Sequence, residues 1–278
     1  IPETGLMPEL PEVETIARGL DSSVRGEIIE SLEIFRSDPI IQGDLEWFIE
    51  SLKDREILGV RRRAKYLLFK LHPSGGLIGH LRMTGKFSLS LQNGDPGPYE
   101  RVRFHLKSGR VLSFSDLRCF GTLEYVDSLE AWENSKVLGC EPFSDGFDAK
   151  WLKKRFSTSR REIKPALLDQ QLVCGIGNIY ASEILFRSRI HPGRKTKRVK
   201  LRECKILVEQ TRSILEEAIK KNGTSISNFR RVDEKTGEFQ NFLRVYGHNG
   251  KPCRDCGTPI QRLVQQQRST FYCPGCQE

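Results

Sequence analysis

Four cysteines near the end of the chain constrain its fold more than any other feature. Cys253, Cys256, Cys273 and Cys276 stand in the spacing C-x2-C-x16-C-x2-C. Two short knuckles joined by a hairpin of that length can bring four thiolates to the corners of a tetrahedron. Zinc takes that arrangement in structural sites. Four sulfurs leave no open coordination position, so the metal is expected to hold the fold and not to activate water. The other cysteines, Cys119, Cys140, Cys174 and Cys204, are scattered singly. Residues 1–6 have neither a basic start nor an apolar core and do not read as a secretory signal. The scattered thiols are therefore expected to be reduced core residues of a cytoplasmic protein.

Upstream of the cysteines the hydrophobic period changes twice. Pro11 fits a first helical position, and Val13, Ile16, Ala17, Leu20 and Val24 recur at spacings of three and four. With Glu12, Glu14, Arg18 and Asp21 opposite, they predict an amphipathic helix ending near Gly26. Short strands follow at 28–35, 57–60, 66–71, 77–81, 87–91, 102–106, 111–114 and 122–126. Turns such as Ser74-Gly75-Gly76 and Ser108-Gly109 separate them, a pattern of sandwiches or barrels. From Leu138 the pattern is helical. The longest run spans 201–221, and Asn222-Gly223 stops it as a C-cap would. Residues 224–245 are polar and glycine-punctuated, which predicts a mobile loop. No apolar run approaches the ~18 residues of a membrane helix. Lys and Arg number 45 against 36 Asp and Glu, net +9, which favours a polyanionic partner such as nucleic acid.

The segment Met7-Pro8-Glu9-Leu10-Pro11-Glu12-Val13-Glu14 reads, on composition, as a proline-capped, acid-rich helix start. It also resembles the amino-terminal signature of the formamidopyrimidine-DNA glycosylases, bacterial enzymes that remove oxidised purines. Further blocks agree in order and spacing. They are Arg63-Ala64-Lys65-Tyr66-Leu67, His80-Leu81-Arg82-Met83-Thr84-Gly85, Asp116-Leu117-Arg118-Cys119-Phe120-Gly121 and Ile163-Lys164-Pro165-Ala166. Gly175-Ile176-Gly177-Asn178-Ile179-Tyr180, Val245-Tyr246-Gly247 and the block from Cys253 through Arg268 to Cys276 complete the match.

The resemblance implies an α+β fold in three parts. An N-terminal catalytic β-sandwich with a flanking helix spans 8–137. A helix-two-turn-helix DNA-binding domain with a lesion loop spans 138–237, and a zinc-finger β-hairpin spans 238–278. Pro8 would be the nucleophile: at a free terminus its secondary amine can attack the sugar C1′ and form an iminium, an electron sink for elimination. An amide nitrogen cannot do this, so residues 1–7 are expected to be absent from the active enzyme. By the same resemblance Glu9 is the proton donor, Lys65 the β-elimination lysine, and Arg268 a phosphate contact tied to δ-elimination. Met83, Arg118 and Phe120 would fill the gap left by a flipped nucleotide, with Arg118 facing the orphaned cytosine. Asn178, Lys164 and Arg160 would contact phosphates. Spacing alone reads Lys65 as a solvated strand-end cation, and Met83 and Phe120 as core.

Three positions depart from the family. Tyr99 aligns with a DNA-contact histidine, and Cys119 stands where relatives often carry Lys or Arg. Ser227 does too, in the loop at about 225–237 that covers the oxidised base. The implied activity is excision of 8-oxoguanine and formamidopyrimidines followed by β,δ-elimination. It needs one structural zinc, no organic cofactor and double-stranded DNA as partner, and a monomer suffices. The alternatives are an endonuclease VIII-like enzyme for oxidised pyrimidines, or a non-catalytic zinc-dependent DNA-binding protein.

Overall fold

The computed structural model describes residues 7–91, 94–224 and 238–278. Val137–Lys221 and Glu238–Glu278 make one compact unit, and the other described residues make a second.

In the unit that contains the N-terminal helix, α1 (Leu10–Val24) buries the predicted stripe from Val13 to Val24, and Gly26 closes it at φ 81°. Nine strands follow among the described residues: β1 (Ile29–Ile34), β2 (Ile41–Gln42), β3 (Glu56–Arg63), β4 (Tyr66–His72), β5 (Gly76–His80), β6 (Gly85–Ser90), β7 (Glu100–Leu106), β8 (Val111–Asp116) and β9 (Thr122–Val126). They form two sheets, ordered β1-β7-β8-β6 and β2-β9-β5-β4-β3. The choice between barrel and sandwich falls to the sandwich. Phe69, Leu71 and Leu77 of one sheet share a single core with Phe87, Phe104 and Phe114 of the other. The rings of Phe69 and Phe87 lie 5.5 Å apart, and those of Phe87 and Phe114 5.0 Å. Burial of such side chains, at roughly 25 cal/mol per Å2, drives the sheets together.

Two helices here have no counterpart in the periodicity, α2 (Leu45–Leu52) and α3 (Leu129–Ser135). Both are too short to show a repeat and are fixed by their caps. Asp44 Oδ1 accepts from Trp47 N at 2.7 Å, and Ser128 Oγ from Ala131 N at 3.2 Å. Glu12, expected on the polar face of α1, is buried at 5% exposure.

The other unit packs α4 (Ala149–Ser157), α5 (Ile163–Leu167), α6 (Asn178–Arg187) and α7 (Leu201–Lys220) with a hairpin, β10 (Gln261–Gln265) and β11 (Arg268–Tyr272). The stop at Asn222-Gly223 is a left-handed turn, with φ of 59° and 75°. Residues 225–237, including Ser227, lie outside the described residues. The predicted mobile loop does not extend to 245. Phe239–Phe242 is a 3-10 turn, and Phe239, Leu243 and Val245 are buried. The cause is Glu183 of α6, whose buried carboxylate accepts from the backbone N–H groups of Arg244, Val245 and Tyr246 at 2.8–3.0 Å. Burial raises its pKa, and these three donors oppose the rise. Among the described residues no helix is long and apolar enough to cross a membrane.

Candidate functional site

The start of α1 is a buried reciprocal cap. Pro8 is buried, and Glu9 takes the N-cap position at 3% exposure. The Glu9 N–H donates to Glu12 Oε2 at 3.0 Å, while the Glu9 carboxylate faces the backbone of Glu12. The second oxygen of Glu12 accepts from Thr224 N at 2.8 Å and Thr224 Oγ1 at 3.1 Å. A Cβ on Gly223 would sit 2.8 Å from that oxygen, so only glycine fits the turn.

Lys65 lies in the tight turn between β3 and β4, where Ala64 adopts φ 53°, and is 9% exposed. Arg62 fastens this turn to α1. Its Nη1 donates to Ala64 O at 3.1 Å and its Nε to Glu14 Oε2 at 2.9 Å. Lys65 and the Pro8–Glu9 pair thus hang from the same helix. Lys65 is not the solvated cation that spacing suggests. Nearby His80 has its pKa pushed down to about 3 by burial, with Arg82 and Lys65 adding repulsion. Its ring is neutral at physiological pH, and Nδ1 accepts from Arg82 N at 3.0 Å.

Met83, Arg118 and Phe120 come together at one place. Arg118 Nη1 lies 3.0 Å from Met83 Sδ, and its guanidinium lies 4.6 Å from the centre of the Phe120 ring. Phe120 is 50% exposed and Arg118 is exposed, so neither belongs to the core. Asp116, fully buried, builds their loop. One carboxylate oxygen accepts from Thr84 Oγ1 and, at 3.1 Å, from Arg118 N; the other accepts from Gly121 N at 2.6 Å. An open depression of about 510 Å3 runs beside the loop. Met83, Cys119 and Phe120 line it together with Met7, the residue before Pro8. Tyr99 lies at the rim of a separate hollow of about 300 Å3, 51% exposed.

In the other unit Asn178 opens α6 directly after Gly177. Lys164 was expected at the DNA surface but is fully buried. Its ammonium donates to Asn178 Oδ1 at 2.6 Å, Thr270 Oγ1 at 2.7 Å and Ser269 O at 3.0 Å. Asn178 Nδ2 donates to the same Ser269 carbonyl at 3.0 Å and to Tyr246 Oη at 3.3 Å. The α6 start is thereby bonded to β11. Arg268 begins β11, paired with Gln265 across the hairpin turn, and is exposed. Arg160 is exposed in the loop after α4.

The Sγ atoms of Cys253, Cys256, Cys273 and Cys276 lie within 4.8 Å of one another. Zinc at about 2.3 Å from each sulfur needs S···S separations near 3.8 Å. The pairs Cys253–Cys276 at 3.9 Å and Cys256–Cys273 at 3.4 Å fit such an ion. A Cβ on Gly275 beside it would lie 2.6 Å from Thr258 Oγ1, so any larger residue would push Thr258 aside. The hairpin core beyond the ligands is small, including Phe186, Val245, Ile260 and Phe271. Chelation is therefore expected to unfold the hairpin and abolish binding to abasic-site duplex, measured by fluorescence anisotropy. Retained binding after complete zinc removal would contradict that role.

Comparison with known proteins covers nearly the whole chain. Residues 7–123 match the formamidopyrimidine-DNA glycosylase N-terminal domain, 138–230 the H2TH domain of the same glycosylase, and 250–278 the zinc finger found in FPG and IleRS. A Formamidopyrimidine-DNA glycosylase of Sodalis glossinidius is 41% identical over 271 residues, covering 98% of this chain and 100% of that protein. Two solved Lactococcus lactis structures are 35% identical with a TM-score of 0.92. One is an Fpg mutant with Fapy-dG-containing DNA, covering 98% of this chain and 100% of that one. The other is Fpg with DNA containing an abasic site, covering 97% and 99%.

Proposed function

The chain belongs to the formamidopyrimidine-DNA glycosylase family, and from that premise we propose that it excises oxidised purines with the amine of Pro8 and then cleaves the abasic strand. The family places the chain among base-excision repair glycosylases and abasic-site lyases that act on double-stranded DNA. The observation that carries the residue assignment is the shared depression: Met83 and Phe120 line it together with the residue that precedes Pro8. A nucleotide displaced by that wedge has its sugar beside the nucleophile.

The working form begins at Pro8. Its nitrogen lone pair attacks C1′, the bond from C1′ to the base nitrogen breaks, and the base leaves with that electron pair and takes up the proton the amine sheds. Glu9, held by its capping box, supplies a proton to the opening sugar ring. The resulting iminium acidifies C2′, and loss of that proton expels the 3′-phosphate; the unsaturated iminium so formed acidifies C4′, and loss of that second proton expels the 5′-phosphate. Lys65, held on α1 through Arg62, serves the first elimination, and Arg268 at the hairpin tip the second. Arg118 meets the orphaned base, Asn178 and Arg160 meet phosphates, and Tyr99 adds an exposed ring. Lys164 acts through Asn178. The 8–137, 138–237 and 238–278 division follows these roles. The setting is the bacterial cytoplasm, at nucleoid DNA.

Matched duplexes carrying 8-oxoguanine opposite cytosine, or thymine glycol, separate this reading from an enzyme for oxidised pyrimidines. Single-turnover excision is expected to be at least about tenfold faster on the purine, some 1.4 kcal/mol of differential stabilisation. Faster release of thymine glycol would overturn the assignment.

A further inference from the structure

The positive charge of this chain is concentrated. Residues 150–205 hold 16 Lys and Arg against four Asp and Glu, a net of +12, so the rest of the +9 chain sums to −3. Within that stretch, 195–205 carries Lys195, Lys197, Arg198, Lys200, Arg202 and Lys205, all exposed, and one acid, Glu203. Glu203 is already engaged: it accepts from Arg194 Nη1 and, at 2.7 Å, from Lys200 N. Among the described residues, only Lys195 of the six has an ion-pair partner, Glu162 at 3.5 Å.

Apart from the Lys195–Glu162 pair, no ion pair ties these charges to the fold among the described residues. They gather at the start of α7, the positive end of a helix dipole, where cations are unfavourable. They also repel one another. The helix is held by Cys204, Leu207, Val208, Thr211 and Leu215 on its opposite face.

The frame beneath connects this surface to the phosphate-contact turn. Lys153 Nζ donates to Val199 O at 2.6 Å, fastening α4 to the 3-10 turn Thr196–Arg198. Thr196 N donates to Arg161 O at 3.0 Å, and Ile163 N to Arg194 O at 2.8 Å. Ile163 opens α5, whose next residue, Lys164, bonds Asn178.

We propose that the 3-10 turn, the end of α4 and the first turns of α7 form a second duplex-DNA contact surface, which grips the double helix outside the lesion-bearing step. A row of flexible cations without base-reading amides suits the sequence-independent phosphate backbone. This inference rests on the chain being a DNA enzyme, and its test separates the two. The Pro8-initiated protein is compared with a variant carrying Lys197→Glu, Arg198→Glu, Arg202→Glu and Lys205→Glu. A matching Gln set guards against misfolding by charge reversal. Affinity is measured on an undamaged duplex of about four turns, and excision at saturating protein on a lesion duplex of about one and a half turns.

At about 0.1 M salt the Glu variant is expected to bind the long duplex at least tenfold more weakly. Its salt slope of log affinity should flatten by roughly 2–4, at ~0.9 per lost phosphate contact. The Gln set moves the same way by less, and short-duplex excision is unchanged for both. Unchanged long-duplex affinity and slope would overturn the proposal. So would a proportionate loss of excision on the short duplex, which would assign the surface to the lesion site. Absence of excision by the unsubstituted protein would instead refute the proposed function.

Discussion

Borohydride reduction of the Pro8-initiated protein on abasic DNA is expected to leave a covalent protein–DNA complex, and a form acylated at the Pro8 nitrogen none. The difference is electronic. An amide nitrogen has delocalised its lone pair into the carbonyl and cannot form an iminium. Strand cleavage should fall with it by roughly four orders of magnitude or more, the scale on which other enzymes lose rate without their nucleophile. Pro8→Gly at a free terminus retains a primary amine and should retain some trapping, so the two variants separate loss of the amine from loss of the ring. Equal adduct yields from the free and acylated forms would remove Pro8 from the mechanism. Glu9 and Lys65 would then need a different nucleophile.

Lys164→Met is expected to act through the fold. Its ammonium is surrounded by three acceptors and is fully buried. Methionine fills the stem and leaves Thr270 Oγ1, Ser269 O and Asn178 Oδ1 without that donor. Leaving a buried acceptor without its donor costs about 1–3 kcal/mol, so losing several such bonds costs on the order of 3–5 kcal/mol. At roughly 2–4 °C per kcal/mol for a domain of this size, the melting point should drop by about 10 °C. Abasic-DNA affinity measured well below the transition should fall too, because Asn178 loses its restraint. Lys164→Arg should rescue neither, since a planar guanidinium does not reproduce three converging bonds. An unchanged melting point with reduced DNA affinity would return Lys164 to direct phosphate contact.

The case of Lys164 shows what the sequence could and could not convey. Its motif suggested a phosphate-contact cation near Asn178, but no spacing rule reports that Ser269 and Thr270 arrive from about a hundred residues away. Only long-range pairing turns a surface cation into a buried one. Glu12 failed for the same reason: its helical phase put it opposite the apolar stripe, while Thr224 approaches it from a distant segment. Asp116 was visible as a letter in a motif, yet its work on Thr84, Arg118 and Gly121 depends on strands β6 and β8 lying side by side. What was legible was local and repetitive: the α1 stripe, eight of the strands, the stop at Asn222-Gly223 and the cysteine spacing. The short helices α2 and α3 lacked the length for periodicity, although Asp44 and Ser128 mark their starts.

The bonds from Lys164 and Asn178 to β11 have a thermodynamic corollary. β11 leads directly to Cys273, and its carbonyl at Ser269 accepts from both Lys164 and Asn178. With Asn178 meeting a phosphate as proposed, metal occupancy and DNA grip become linked functions. Linkage is reciprocal: if zinc tightens the hold on DNA by some factor, DNA must tighten the hold on zinc by the same factor. A cell poor in zinc would strip the idle molecules of this protein first and those engaged on damaged DNA last.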